Sequence, residues 1–291
     1  MNLGRVGIWS GELRFLRDAA RAADAARELE QLGYATLWIP GGTGSGRPLF
    51  EVVGDLLDAT ERMTVATGIL SIWVQDAAQT AREHEALRAR HPGRFLLGLG
   101  SSHPQLVDDA TREQMRRPRT AMAAYLDRLD AETTDDLAGE RVLAALRPRM
   151  LELARDRTLG SHPYLVTPAH TAAARGLLGP GALLAPEQGV VLEADPLRAR
   201  AIARAHLSVY LGLPNYTGNL LEHGFTDADL LDGGSDRLVD GVVAWGDEDA
   251  ILARVQAHHD AGADHVAVQV LSGRRGDVPL PEWRRLAGAL L

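Results

Sequence analysis

Two runs of sequence decide the fold: Met63-Thr-Val-Ala-Thr-Gly-Ile-Leu-Ser-Ile-Trp-Val-Gln75 and Arg94-Phe-Leu-Leu-Gly-Leu-Gly-Ser-Ser-His-Pro104. Each opens as a short apolar run rich in β-branched or large aliphatic residues, as a buried strand does, and each ends in a loop. Between them, Asp76–Arg90 contains no Gly or Pro and is rich in Ala, Arg and Glu, which favours helix. Two buried parallel strands around a helix form a βαβ unit, and such units bind ligands at the carboxyl ends of their strands. The spacing therefore predicts that Gly68–Gln75 and Gly100–Pro104 are two walls of one site. Gly68 interrupts the first run, and an isolated glycine in a strand marks a bulge or a close backbone approach.

The same alternation extends in both directions. Upstream, Arg5–Ser10 reads as a first strand and Leu13–Leu32 as an Ala-rich helix, which Gly33 caps. Ala35–Ile39 is a second strand. It stops at Pro40-Gly41-Gly42-Thr-Gly-Ser-Gly46, with four glycines in seven residues. Pro48–Thr60 is a second helix with proline in its first turn. Downstream, strands are expected at Arg141–Ala145, Tyr164–Val166, Gln188–Glu193 and His265–Leu271. The helices between and after them are Thr120–Asp136, Pro148–Leu159, Ala169–Leu178, Leu197–Gly212, Asp247–Ala261 and Pro281–Leu291. Asn215–Trp245 breaks the rhythm with short helical segments separated by Gly224, Gly233 and Gly234. Eight strands alternating with helices fill the chain. The expectation is α/β, a single (β/α)8 TIM barrel spanning residues 1–291, with a helical insertion between strands 7 and 8.

Composition narrows the chemistry. The chain has 291 residues, of which 45% are hydrophobic and 24% charged, the balance of a soluble globular protein with a substantial core. A net charge of −8 argues against a general nucleic-acid binder, which needs a basic face. The absence of cysteine removes disulfides and thiol catalysis. No apolar run reaches the roughly 18–20 residues of a membrane span. The first residues lack the basic-then-apolar pattern of a signal peptide, so the cytoplasm is the expected location. Small molecules are the expected partners.

Among candidate site residues, His103 follows the fourth strand. A barrel places that position at its active face, where an imidazole exchanges protons near neutral pH; a loop histidine held by a structural hydrogen bond is the plainer alternative. Trp9 and Trp73 fall at strand ends, where aromatic residues suit a flat conjugated ligand or ordinary rim packing. The bare amides of Pro40–Gly46 suit an anion or form a surface loop. Ala145-Leu146-Arg147 leads into a helix N-terminus, which attracts phosphate; Arg147 and Arg149 are otherwise solvated. His84, His258 and His259 lie on helices and read as packing residues. No His-x-His at a strand end, His-Glu-x-x-His or Gly-x-Ser-x-Gly occurs, so neither a catalytic metal nor a serine hydrolase is expected.

Taken in order, Gly33-Tyr-Ala-Thr-Leu-Trp-Ile39, Ala66-Thr-Gly-Ile-Leu70, Phe95-Leu-Leu-Gly-Leu-Gly-Ser101, Arg141-Val-Leu-Ala-Ala-Leu146, Tyr164-Leu-Val-Thr-Pro168 and Ala261-Gly-Ala-Asp-His-Val-Ala-Val268 resemble the bacterial-luciferase-like superfamily. These are flavin- or deazaflavin-dependent barrels, and the nearest resemblance is to members that use coenzyme F420. The resemblance implies an oxidoreductase moving a hydride between the F420 ring and a small organic substrate. An FMN-dependent monooxygenase and a cofactor-poor, non-catalytic barrel are its two alternatives. It further implies a non-prolyl cis peptide at Gly68-Ile69 supporting the ring, and Ser101 and His103 near the redox carbon. Trp9, Pro40, Gly41, Trp73 and Thr167 would complete the cofactor site. The phosphate tail would lie at Ala145, Leu146 and Arg147, and the family often forms homodimers. Two departures stand out: Pro40-Gly41 replaces the Asp-His of many deazaflavin relatives, and Arg147 replaces a glycine.

Overall fold

The computed structural model describes residues 1–42, 46–102, 115–133, 137–274 and 276–291. It is an α/β protein built on a curled, all-parallel sheet. The strands are β1 (Val6–Trp9), β2 (Thr36–Ile39), β3 (Thr64–Thr67), β4 (Leu70–Ser71), β5 (Phe95–Gly100), β6 (Arg141–Leu143), β7 (Gly160–Ser161), β8 (Leu183–Leu184), β9 (Glu187–Val191), β10 (Ala244–Trp245) and β11 (Val266–Val270). Their order is β10-β9-β11-β1-β2-β3-β5-β6-β7-β8, with β4 paired to β5. β8 and β9 belong to one extended segment, Leu183–Val191. Its first part pairs with β7 and its second with β11, so the hydrogen-bonded path returns to the segment where it starts.

The curl follows from residue alternation, because successive strand side chains point to opposite faces. Trp9, Trp38, Ala66, Leu96, Val142, Ala185 and Ala267 pack together on the inside. Their neighbours Ile8, Leu37, Ile39, Val65, Leu97, Leu143 and Val268 face outward into the core beneath the helices. Inside, the Trp38 ring stacks on His162 with centroids 4.0 Å apart. Trp38 Nε1 donates to His265 Nε2 at 3.0 Å, and His265 Nδ1 donates to Gly4 O at 2.9 Å. The interior is a packed, hydrogen-bonded core rather than a pore.

Several boundaries differ from the sequence expectation. The expected helix Leu13–Leu32 is two helices, Gly11–Phe15 and Ala19–Leu32, because Ser10 caps the first and Asp18 starts the second by accepting from Arg21 N. The sixth strand is Gly160–Ser161, not Tyr164–Val166. Pro163 offers no N–H to a ladder, and Leu165 sits at φ +59°, outside the strand region. Asn215–Trp245 carries the helices Pro214–Glu222 and Asp236–Val242, a 3-10 turn at Asp227–Gly233 and the unforeseen strand β10. His258 packs as expected, buried between Gln188 Oε1 (2.9 Å) and Thr171 Oγ1 (2.8 Å). Among the described residues, no helix is long and apolar enough to cross a membrane.

The β3–β5 contact is close. Thr67 Oγ1 accepts from Gly98 N (2.7 Å) and donates to Gly98 O (2.8 Å). A Cβ at position 98 would run into Thr67 O. Gly98→Ala should therefore lower stability by on the order of 3 kcal/mol, measured by urea denaturation.

Candidate active site

The carboxyl ends of β1, β2 and β3 open into a cavity of about 680 Å³. Its back wall is bare backbone. Gly41 N donates to Ile69 O (3.1 Å) and Gly68 N to Ile39 O (2.8 Å), so the loops after β2 and β3 are bonded to each other. The Gly68–Ile69 peptide is cis. No Cβ fits at Gly41, where it would meet Ile69 O, or at Gly68, where it would lie 2.6 Å from Trp9 Nε1 and 3.1 Å from His162 Nε2. Both of those nitrogens are buried and have no hydrogen-bond partner. His162 Nδ1 donates to Ala185 O at 2.7 Å, which leaves Nε2 as an acceptor on a neutral ring. Burial pushes His162 down to about 4, so it stays neutral across the physiological range.

A second wall is aromatic. Tyr164 lies 5.5 Å from the Trp9 ring and 5.3 Å from Tyr210, and Tyr210 lies 5.2 Å from Tyr216. The Tyr164 hydroxyl donates to Gln269 Oε1 (2.8 Å) and contacts Tyr210 Oη (3.0 Å) and His206 Nε2 (3.3 Å). Burial raises all three phenols above their ordinary value and pushes His206 down to about 4. These groups are neutral donors and acceptors at pH 7. Tyr164 is aimed by Glu187, whose Oε2 accepts from Leu165 N (3.1 Å) and so holds the left-handed turn beside it. Burial pushes the Glu187 carboxyl up to about 8.

The site-residue expectations divide. Trp9, Pro40, Gly41, Gly68 and Ile69 line the cavity together. Trp73 does not: its Nε1 donates to Ser101 O (2.8 Å), which fixes the ring in a separate groove beside Arg117 and Tyr125. Ser102, at φ +56°, lines the cavity where Ser101 does not. From the end of β6 only Ala144 reaches the cavity. Ala145 O accepts from Ser161 Oγ (3.4 Å) and Leu146 O from His170 Nε2 (2.9 Å). Arg147 turns away to pair with Glu222 at 3.1 Å. Thr167 is a helix cap, accepting from His170 N. His103 lies outside the described residues. Arg14, Arg47, His162, Tyr210 and Tyr216 line the cavity without having been singled out. For Tyr210 and Tyr216 a signal existed, since aromatic residues make up only 5% of the chain.

Because the folded state keeps Glu187 protonated up to about 8 while the unfolded chain ionises near 4.5, folding binds a proton in between. This group's contribution to stability is complete below pH 4.5 and falls as pH rises toward 8, at up to about 1.4 kcal/mol per pH unit. Glu187→Gln should flatten that slope in urea denaturation series run from pH 5 to pH 8.

Comparison with known proteins agrees with this architecture. The model of the luciferase-like monooxygenase family matches residues 3–142. An N-acetyl-S-alkylcysteine monooxygenase of Bacillus subtilis is 27% identical over 130 residues, a match covering 43% of this chain and only 39% of that protein. An F420-dependent secondary alcohol dehydrogenase solved with an F420-acetone adduct shares the fold, with a TM-score of 0.72 at 12% identity over 99% of both chains. So does the oxygenating constituent of 3,6-diketocamphane monooxygenase from Pseudomonas putida, solved with FMN, at 0.68 and 15% over 97% of this chain and 95% of that one. Residues 3–142 thus resemble the luciferase-like monooxygenase family, and the fold over the whole length is the one these solved structures share.

Proposed function

We propose that the protein is a (β/α)8 oxidoreductase that binds F420 in this cavity and moves a hydride between its ring and a small organic substrate. The observation that carries the reading is the bare wall at Gly41 and Gly68, flanked by Trp9 and faced by Tyr164, Tyr210 and Tyr216. A planar conjugated ring fits beside the Gly41 and Gly68 backbone, and its edges suit the unpartnered Trp9 Nε1 donor and His162 Nε2 acceptor. A deazaflavin supplies the hydride chemistry when bound.

The chain's own residues orient, exclude water and handle protons. Gly41, Gly68 and Ile69 form the backing surface, and Trp9 fixes the ring's position along it. Tyr164 and Tyr210, held neutral and hydrogen-bonded to each other, exclude water from the opposite side and offer a hydroxyl to substrate. His103 is the group assigned to exchange a proton with substrate. FMN is the second reading, favoured by the match of residues 3–142 to luciferase-like monooxygenases.

The test is titration of the purified protein with F420 and with FMN, followed by quenching of ring fluorescence. Saturable micromolar binding of F420 is expected, at least tenfold weaker in Gly68→Ala with the fold retained by circular dichroism. Binding of FMN alone would select the monooxygenase reading, and binding of neither would end both. His103→Ala should lower kcat about a hundredfold with cofactor affinity unchanged; an unaltered kcat would remove His103 from the chemistry.

A further inference from the structure

Arg14 is the anomaly of the charged residues. It is 4% exposed. Nε donates to Gly41 O and Nη2 to Arg47 O, each at 3.0 Å, while Nη1 is buried without a partner. Among the described residues, the other arginine buried this deeply, Arg141, is answered by Asp130, which accepts from both of its terminal nitrogens. Arg14 has two neutral carbonyls and no carboxylate. Its charged neighbour is a second cation, and burial together with Arg47 pushes its pKa below the ordinary value. A buried charge costs several kcal/mol unless an opposite charge compensates it.

The surroundings share the same sign. Arg14 and Arg47 both line the cavity, as do the backbones of Gly41, Gly42 and Gly46. The helix Leu49–Ala59 begins there at Pro48, with no side chain capping its first turn. The carboxylates nearby are otherwise engaged. Asp55 accepts from Arg47 Nη2 (2.6 Å), Glu83 accepts from Gln75 and Gln79 (3.0 Å each), and Glu12, held above its ordinary value by burial, accepts from Ser10 Oγ (3.0 Å).

We infer that Arg14, with Arg47 and the start of the helix Leu49–Ala59, is the binding site for one anionic group, a carboxylate or a phosphate, of the small molecule that enters the cavity. The guanidinium is preorganised by the two carbonyls, so it loses little freedom on meeting the anion. The inference rests on the cavity and its charges and is independent of which cofactor the protein uses.

Calorimetric titration with inorganic phosphate and with benzoate, at ionic strength fixed with sodium chloride, tests it. Saturable millimolar binding is expected in the native protein, weakened at least tenfold in Arg14→Gln and less in Arg14→Lys. Because Arg14 also ties the loop, Arg47→Gln serves as the second variant. It leaves the backbone carbonyl that Arg14 bonds and should weaken binding several-fold. No binding beyond the chloride control, or equal binding in Arg14→Gln and Arg47→Gln, overturns the site. Parallel titrations with FMN and riboflavin identify the anion's source. Loss that extends to FMN but spares riboflavin assigns the site to a cofactor phosphate, whereas loss confined to phosphate and benzoate assigns it to the substrate. A protein that takes phosphate but neither F420 nor FMN keeps this site and removes the cofactor reading.

Discussion

The architecture turns on how closely the segment after β3 lies against its neighbours. Gly68 N bonds Ile39 O, and Ile69 O bonds Gly41 N, so two consecutive residues of one loop are fixed by the strand beside it and the loop that follows that strand. On the other side the Ile69 side chain occupies the space a Cβ would need at Gly98 and Gly100. Thr67 seals the seam with two hydrogen bonds to Gly98. Each contact requires a missing side chain, and the four glycines come from three separate strand ends. A single added methyl there must push a backbone carbonyl at Gly41 or Gly98, a buried indole at Gly68 or the Ile69 side chain at Gly100.

That constraint explains what was legible in the sequence. Gly68 could be read because it interrupts an apolar run, and a glycine that breaks a strand pattern needs a packing reason. The strand–helix alternation was legible because it repeats with short connections. Trp73 and Arg147 lie away from the cavity for a different reason. Their positions in the chain are right, at strand ends, but the direction of a side chain depends on a partner far along the sequence: Ser101 O for the indole and Glu222 for the guanidinium. Tyr164 looked like a strand residue because its neighbours are apolar. The left-handed turn at Leu165 exists only because Glu187, twenty-two residues later, accepts its amide. Local pattern carries no record of such partners.

The polar groups buried in the protein fall into two kinds, and the difference bears on what the cavity can hold. His162, His265, His258 and His170 are all pushed down to about 4 or below by burial, and each has at least one nitrogen bonded to a carbonyl, an indole or a side-chain oxygen. Neutral groups of this sort are satisfied by single hydrogen bonds and specify packing. Arg14 does not fit that description, because a guanidinium cannot become neutral by giving up its proton in a protein. Hydrogen bonds to Gly41 O and Arg47 O satisfy its geometry and leave its charge. One face of the cavity is therefore flat, aromatic and neutral, and the other carries a fixed positive charge. A ligand that is only planar answers the first face, and a ligand that is only acidic answers the second. A molecular complex that presents a conjugated surface at Gly68 and an anionic oxygen at Arg14 satisfies both, and electrostatics selects it over neutral compounds of the same shape.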